Sequence, residues 1–344
     1  MKKLLWTAVA VLVAVVTITS CGGSDESETD SYSIGVFVPG VVEGSPTYEM
    51  LVEGVERAVA ETEPSSTFKV VEGGFNQALW EQGLTSMAAS GEYDLIVSSN
   101  PEIPDIVVSV LESFPEQRFL LMDAWLNDDP QVHTVMFNQR EQAFLAGHFA
   151  GLVGRSNMVD PRDTLRAGLL AGQEYPIMNE VIVPGFELGL KSVDPDATVD
   201  FRVLGNWYDA GRAAELASSM YTTGSHIVLP IAGGGNQGVI SAARDHDRYV
   251  IWYDTPGLDE APGIVVGSTY VALDEAAYER SLSAINGELA FGEAEILGVA
   301  DGYVGFVQDD SRYRRHVDEA VRSQMALMVE KMERGEVYLE MPLE

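Results

Sequence analysis

The chain has 344 residues, a formal net charge of −32 at neutral pH and one cysteine. Such acidity argues against binding nucleic acid, which requires neutralising phosphates, and against adhesion to anionic lipid. One cysteine excludes an internal disulfide, so stability must come from an apolar core, which a chain this long can bury.

Met1–Leu5 opens with two lysines, and an apolar run follows from Leu4 to about Ile18 before Thr19-Ser20-Cys21-Gly22. This reads as a secretory signal over residues 1–20, shorter than the roughly 20 apolar residues of a membrane-spanning helix. A small residue before the sole cysteine resembles the bacterial lipobox, so cleavage before Cys21 and lipidation of its thiol are expected. The polar, acidic stretch after it (residues 21–32) reads as a flexible tether. The body is then expected outside the cytoplasm, in the periplasm or at the cell exterior, held to a membrane by lipid.

From Ser33 onward, short apolar runs alternate with segments of helical periodicity. Strands are expected at Ser33–Val38, Phe68–Val71, Asp94–Ser98, Arg118–Met122, Val132–Phe137, Ala167–Ala171, Val199–Val203, Ile227–Ile231, Val250–Tyr253 and Ile264–Ser268. Helices are expected at Tyr48–Ala60, Ala78–Ser90, Pro104–Phe114, Glu141–Val153, Met178–Leu190, Ala210–Met220, Val239–Arg244, Leu273–Leu289 and one charged helix near Ser311–Arg334. The alternation predicts an α/β fold with parallel sheets, and the length predicts two lobes.

One stretch points to a ligand. Ile227–Ile231 runs into Ala232–Gly238 (AGGGNQG), a helical segment and a second apolar run that ends at Asp254. In open parallel sheets, ligands sit where strand ends meet helix starts. Gly233, Gly235 and Gly238 match the dinucleotide spacing, but late in the chain and in an exported protein, so a nicotinamide or flavin cofactor is not expected. A turn whose backbone amides face a small polar ligand is expected instead. The five histidines are scattered without metal-binding spacing, and no serine-hydrolase elbow or P-loop is present. Neither a metal, a cofactor nor an enzymatic activity is expected.

The order and spacing of several segments resemble the basic membrane protein family of lipoproteins. These segments are Gly91–Ile96 (GEYDLI), Phe114–Phe119 (FPEQRF) leading to Asp123, Phe137–Gly147 (FNQREQAFLAG), Pro176–Gly189, Asn206–Asp209 (NWYD), Ala232–Gly238 and Asp254. The resemblance implies a type I periplasmic-binding-protein-like pair of doubly wound lobes, residues 33–137 with 270–301 and residues 138–269 with 302–344. It implies chain crossings near Phe137, Ser268 and Gly302, and a solute gripped in the cleft. The implied role is the substrate-binding subunit of an ABC importer, with purine nucleoside as the implied ligand and with permease and ATPase on separate chains. Asp123 and Asp254 match strand-end aspartates, the latter gripping ribose hydroxyls. Gly234 matches a glycine lining the cleft, and Trp207 stands where the family stacks a phenylalanine on the base. Other positions depart from the pattern: Thr47 and Tyr48 replace a phenylalanine and an asparagine, Val271 replaces a lysine, and Gly235-Asn236 replaces a threonine-containing turn. Tyr48 and Asn236 are therefore candidate ligand contacts of a modified site. The departures leave open another sugar-like ligand, or a signalling or interaction lipoprotein that keeps the fold.

Overall fold

The apolar runs become strands because parallel strands covered by helices must be apolar on both faces. The computed structural model describes residues 31–343 except Glu63, Ser65, Phe75 and Arg162. The signal sequence, Cys21 and nearly all of the acidic tether lie outside these residues. In chain order the strands are β1 (Tyr32–Val38), β2 (Ser66–Glu72), β3 (Leu95–Ser99), β4 (Arg118–Met122), β5 (Val132–Phe137), β6 (Arg166–Ala171), β7 (Thr198–Val203), β8 (Ile227–Ile231), β9 (Tyr249–Trp252), β10 (Val265–Val271), β11 (Ala294–Leu297) and β12 (Val304–Phe306). The α-helices are α1 (Pro46–Thr62), α2 (Trp80–Ser90), α3 (Ile103–Ser113), α4 (Gln139–Gly154), α5 (Val183–Lys191), α6 (Ala210–Thr222), α7 (Asn236–Asp245), α8 (Leu273–Ile285), α9 (Ser311–His316) and α10 (Glu319–Glu333).

These strands form two six-stranded sheets, ordered β11-β5-β4-β3-β1-β2 and β12-β10-β9-β8-β6-β7. The first is parallel throughout. The second is parallel except for its edge, where β12 runs antiparallel to β10. The chain leaves the first sheet after β5, returns to it after β10, and crosses again between β11 and β12. Because β10 stays in the second sheet through Val271, the change of lobe expected at residue 270 falls two residues later. Tyr32 pairs with Ser66 in β1, so the segment expected as tether to residue 32 ends at Ser31.

Two helical readings need correction. Ser311–Arg334 is two helices, broken where Val317 is extended (φ −114°, ψ 131°). Met178–Ile182 is a π-helical turn running into α5; Pro184, lacking an N–H, follows at once, and the wider turn accommodates the missing bond.

The first crossing is tied to the end of the chain. Asn138 caps α4 by accepting from Glu141 N and donates Nδ2 to Leu339 O at 2.9 Å. The buried Glu141 carboxylate accepts Val299 N at 2.8 Å and Leu339 N at 3.4 Å, so it touches the third crossing and the C-terminal segment together. Burial raises its pKa against these two backbone donors. Beyond it, Met341 is buried with Met136 of β5 and Val181 of the π-turn, flanked by Trp125 and Ile296. Residues 337–343 are thus a strap lying across both lobes.

Candidate functional site

The site begins at two strand ends. Apolar β4 closes on Met122 and is followed by Asp123; β9 is followed by Tyr253 and Asp254. Both aspartates adopt left-handed backbone, φ 48° for Asp123 and 68° for Asp254. Among ordinary residues, Asp and Asn visit this region most readily. The sharp bend ends each strand and leaves its carboxylate at the carboxyl edge of the sheet.

The two edges face one another across a cavity of about 80 Å³, lined by Asp123, Asp254, Gln139, Tyr175, Tyr253 and Val271, with Thr47 and four apolar side chains completing the wall. Among the described residues, no lysine, arginine or histidine lines it. Burial and the neighbouring Asp123 raise the Asp254 carboxyl to about 7, against one lowering contact from Gln142. Burial also raises Asp123, opposed by Gln139. The cavity therefore disfavours two full negative charges, and the pair titrates as a unit.

Each carboxylate is held by a glutamine from the first turn of α4. Gln139 Nε2 donates to Asp123 Oδ1 at 2.9 Å. Gln142 Nε2 donates to Asp254 Oδ1 at 3.1 Å and to Thr269 Oγ1 at 3.3 Å. Among the described residues, neither Oδ2 atom receives a hydrogen bond from the protein. Tyr175 stands in the wall, its hydroxyl pKa raised by burial and by both carboxylates.

The other expected contacts lie elsewhere. Trp207 is outside the cavity wall, 42% exposed, with its ring centroid 6.4 Å from that of Tyr175. It packs over Gly172, where an added Cβ would meet its ring at 2.4 Å. Gly234 is exposed beneath the Trp207–Tyr208 backbone rather than in the cavity wall. Asn236 is a turn residue, its Oδ1 accepting Ala232 N at 2.9 Å. Tyr48 donates its hydroxyl to Pro39 O at 3.1 Å and is not part of the wall, although it is close enough to Asp123 to feel its charge. The glycine motif serves packing: a Cβ on Gly238 would lie 1.9 Å from Ala210 O, so glycine is what allows α7 to approach α6.

Residues 31–335 match the family described as ABC transporter substrate-binding protein PnrA-like. The chain belongs to this PnrA-like family. The CD4+ T-cell-stimulating antigen of Listeria monocytogenes is 27% identical over 158 residues, 46% of this chain and 42% of that protein. The ABC transporter nucleoside-binding protein BmpA of Lactococcus lactis is 27% identical over 152 residues, 44% of this chain and 41% of the relative. The matches thus span less than half the length of these relatives. In fold, an ABC transporter solute-binding protein from Aeropyrum pernix K1 superimposes with a TM-score of 0.78 at 19% identity, covering 91% of this chain and 94% of that one. The two-lobed α/β architecture is that of type I periplasmic-binding-protein-like solute receptors.

Within this PnrA-like cleft, the sequence pointed to Asp123 and Asp254 but missed Tyr175, Gln139 and Gln142. The glutamines stand in the Phe137–Gly147 segment, spaced three apart directly after the crossing. That placement, on one face of a helix start, was the available signal. Tyr175 follows β6 at the same carboxyl edge, where the strand-end rule that selected the aspartates applies equally.

Proposed function

We propose that this protein is the substrate-binding subunit of an ABC importer, exported and lipid-anchored through Cys21, with permease and ATPase on other chains. Its cleft takes a small neutral hydroxyl-bearing solute, a purine nucleoside first and another sugar-like solute second. The observation that carries this reading is the meeting of Asp123 and Asp254, from different sheets, over one cavity without a cation. Carboxylates accept from vicinal hydroxyls in charge-assisted bonds. The same charges repel phosphate. Family membership and the nucleoside-binding name of the Lactococcus relative support the choice of ligand.

The cavity's size bears on how a nucleoside would enter. About 80 Å³ is room for on the order of five waters. A nucleoside would hold the lobes further apart, and closure by hinge motion suits such a pair. Tyr175 would then be the first ring to meet a base, with Trp207 behind it.

Calorimetry with inosine, guanosine, adenosine, ribose and inosine monophosphate, on protein unfolded and refolded to strip bound solute, tests the reading. Nucleosides should bind and the nucleotide should bind at least about tenfold more weakly, the cost of roughly 1.4 kcal/mol. Equal affinity for the nucleotide would overturn the charge argument. Silence with every nucleoside and with ribose would overturn the ligand class.

A further inference from the structure

The first turn of α4 reaches both lobes at once. Asp123 ends a strand of the first sheet and Asp254 a strand of the second, yet Gln139 and Gln142 stand one helical turn apart on the same helix. A helix start is stiff, and residues three apart share a face, so the two amides are fixed relative to one another. The settings of the two differ. Gln142 is fully buried behind Asp254, outside the cavity wall. Its Oε1 is buried without a hydrogen-bond partner among the described residues. An unpaired buried acceptor is a cost that a leucine of similar size would avoid. Gln139 is only partly buried and lines the cavity beside the carboxylate it holds.

We infer that Gln142 is a permanent positioning residue for Asp254, whereas Gln139 is a placeholder on Asp123 that a bound solute's hydroxyl displaces. This rests on the reading of the cavity as the solute site. The place of Gln139 in the wall supports the exchange: its amide shares the cavity face with the carboxylate it holds, so a hydroxyl entering there meets the Oδ1 position that Gln139 occupies. Binding therefore gives up the Gln139 bond, and removing that amide should favour the solute. Removing Gln142 should have the opposite effect, because Asp254 loses the donor that orients it. The titratable groups facing Asp254 are Asp123, Tyr175 and Tyr253. None is a cation that could replace the lost amide.

The test compares wild type with Gln139→Leu, Gln142→Leu and, for a flexible side chain of similar length, Gln142→Met. Two readouts are used: calorimetric titration of inosine from pH 5.5 to 8.5, and carboxyl carbon NMR titration of the aspartates without solute. Gln139→Leu should bind inosine about threefold or more tightly and shift Asp123 to higher pKa. Both Gln142 variants should bind about tenfold more weakly and shift Asp254 upward, with the loss of affinity greatest at the acid end, where the raised carboxyl must give up its proton to accept the solute's hydroxyls. A purely structural Gln142 would lower the melting temperature and leave the Asp254 titration in place. That result in a folded variant overturns the inference, as does weaker inosine binding by Gln139→Leu. If wild type binds no inosine, the proposed ligand fails; the solute-free titrations then decide the inference, and unmoved aspartates overturn it.

Discussion

Asp123 and Asp254 occupy the same place in two copies of one topology. β4 and β9 are each third in their six-stranded sheets, and each is followed by an aspartate in left-handed backbone. The lobes are structural counterparts, although no repeat stands out in the sequence. The counterpart relation fails at the edge, where β11 is parallel to β5 but β12 is antiparallel to β10. Facing lobes of like topology bring like residues together, so closing the cleft presses one carboxylate toward the other.

That pressure predicts pH-dependent opening. Asp254 moves from an ordinary 3.8 to about 7 with the lobes as they stand. The closed form therefore keeps a proton between these values that an open or unfolded form releases. By linkage, closure loses stability as pH rises from about 4 through about 7 and changes little above. Small-angle scattering of solute-free protein should give a larger radius of gyration at pH 8.5 than at pH 5.5, and Asp254→Asn should remove most of the difference. Equal wild-type radii would reject the coupling.

The aromatic residues should rank in the order of their distance from the cavity. Tyr175 is in the wall; Trp207 is outside it and supports Tyr175 from behind. Tyr175→Ala should weaken guanosine binding by about tenfold and Trp207→Ala by about two- to threefold, since an aromatic pair contributes roughly 0.5–1.5 kcal/mol. Calorimetry that reversed this order would place the base against Trp207 instead.

A charged cluster far from the cavity should govern acid stability of the first lobe. Arg280 grips Glu295 with Nε and Nη2 at 2.7 and 2.8 Å, and His133 Nε2 adds a third contact at 2.7 Å. Burial alone would raise Glu295, but the bonds from His133 and Arg280 outweigh it and bring the carboxyl to about 2. The stabilisation is present above the ordinary 4.5 and is lost as pH falls toward 2. Glu295→Gln should cost about 1–3 kcal/mol at pH 7, and the deficit should shrink from pH 4.5 to pH 2. Urea denaturation at several pH values measures both, and a pH-independent deficit would contradict the account.

Export and anchoring predict a separate outcome. Cys21→Ser should leave the protein uncleaved or released from membranes. Membrane fractionation and intact mass of the N-terminus decide this; a cleaved variant that stays with membranes like wild type would show anchoring by another route.

What could be read from the sequence follows from burial. Arg118–Met122, Val132–Phe137 and Ile227–Ile231 are strands at the expected bounds because each is nearly all buried, which leaves a continuous apolar run. β11 and β12 escaped notice because they span four and three residues, and β11 is mostly half-buried. The aspartates were legible because an acid ending an apolar run is a local pattern. The amides of Gln139 and Gln142 were not, because their partners lie 16 and 112 residues away. Asn236 and Trp207 stand outside the cavity wall, and the sequence does not carry that distinction: a polar residue in a glycine turn looks the same whether it caps the turn or faces a solute. An aromatic residue likewise looks the same in the wall or behind it.

The strap across the two lobes has a practical consequence for instrumenting this protein. Met341 is clamped between side chains of both lobes, and Leu339 is bonded through both its N–H and its carbonyl. A fluorophore coupled at Pro342 or Leu343 would sit on the strap without entering the cavity, where a shift of one lobe against the other on binding solute would change its surroundings. A bulky affinity handle fused at the same point would load the strap, so such a handle belongs ahead of β1.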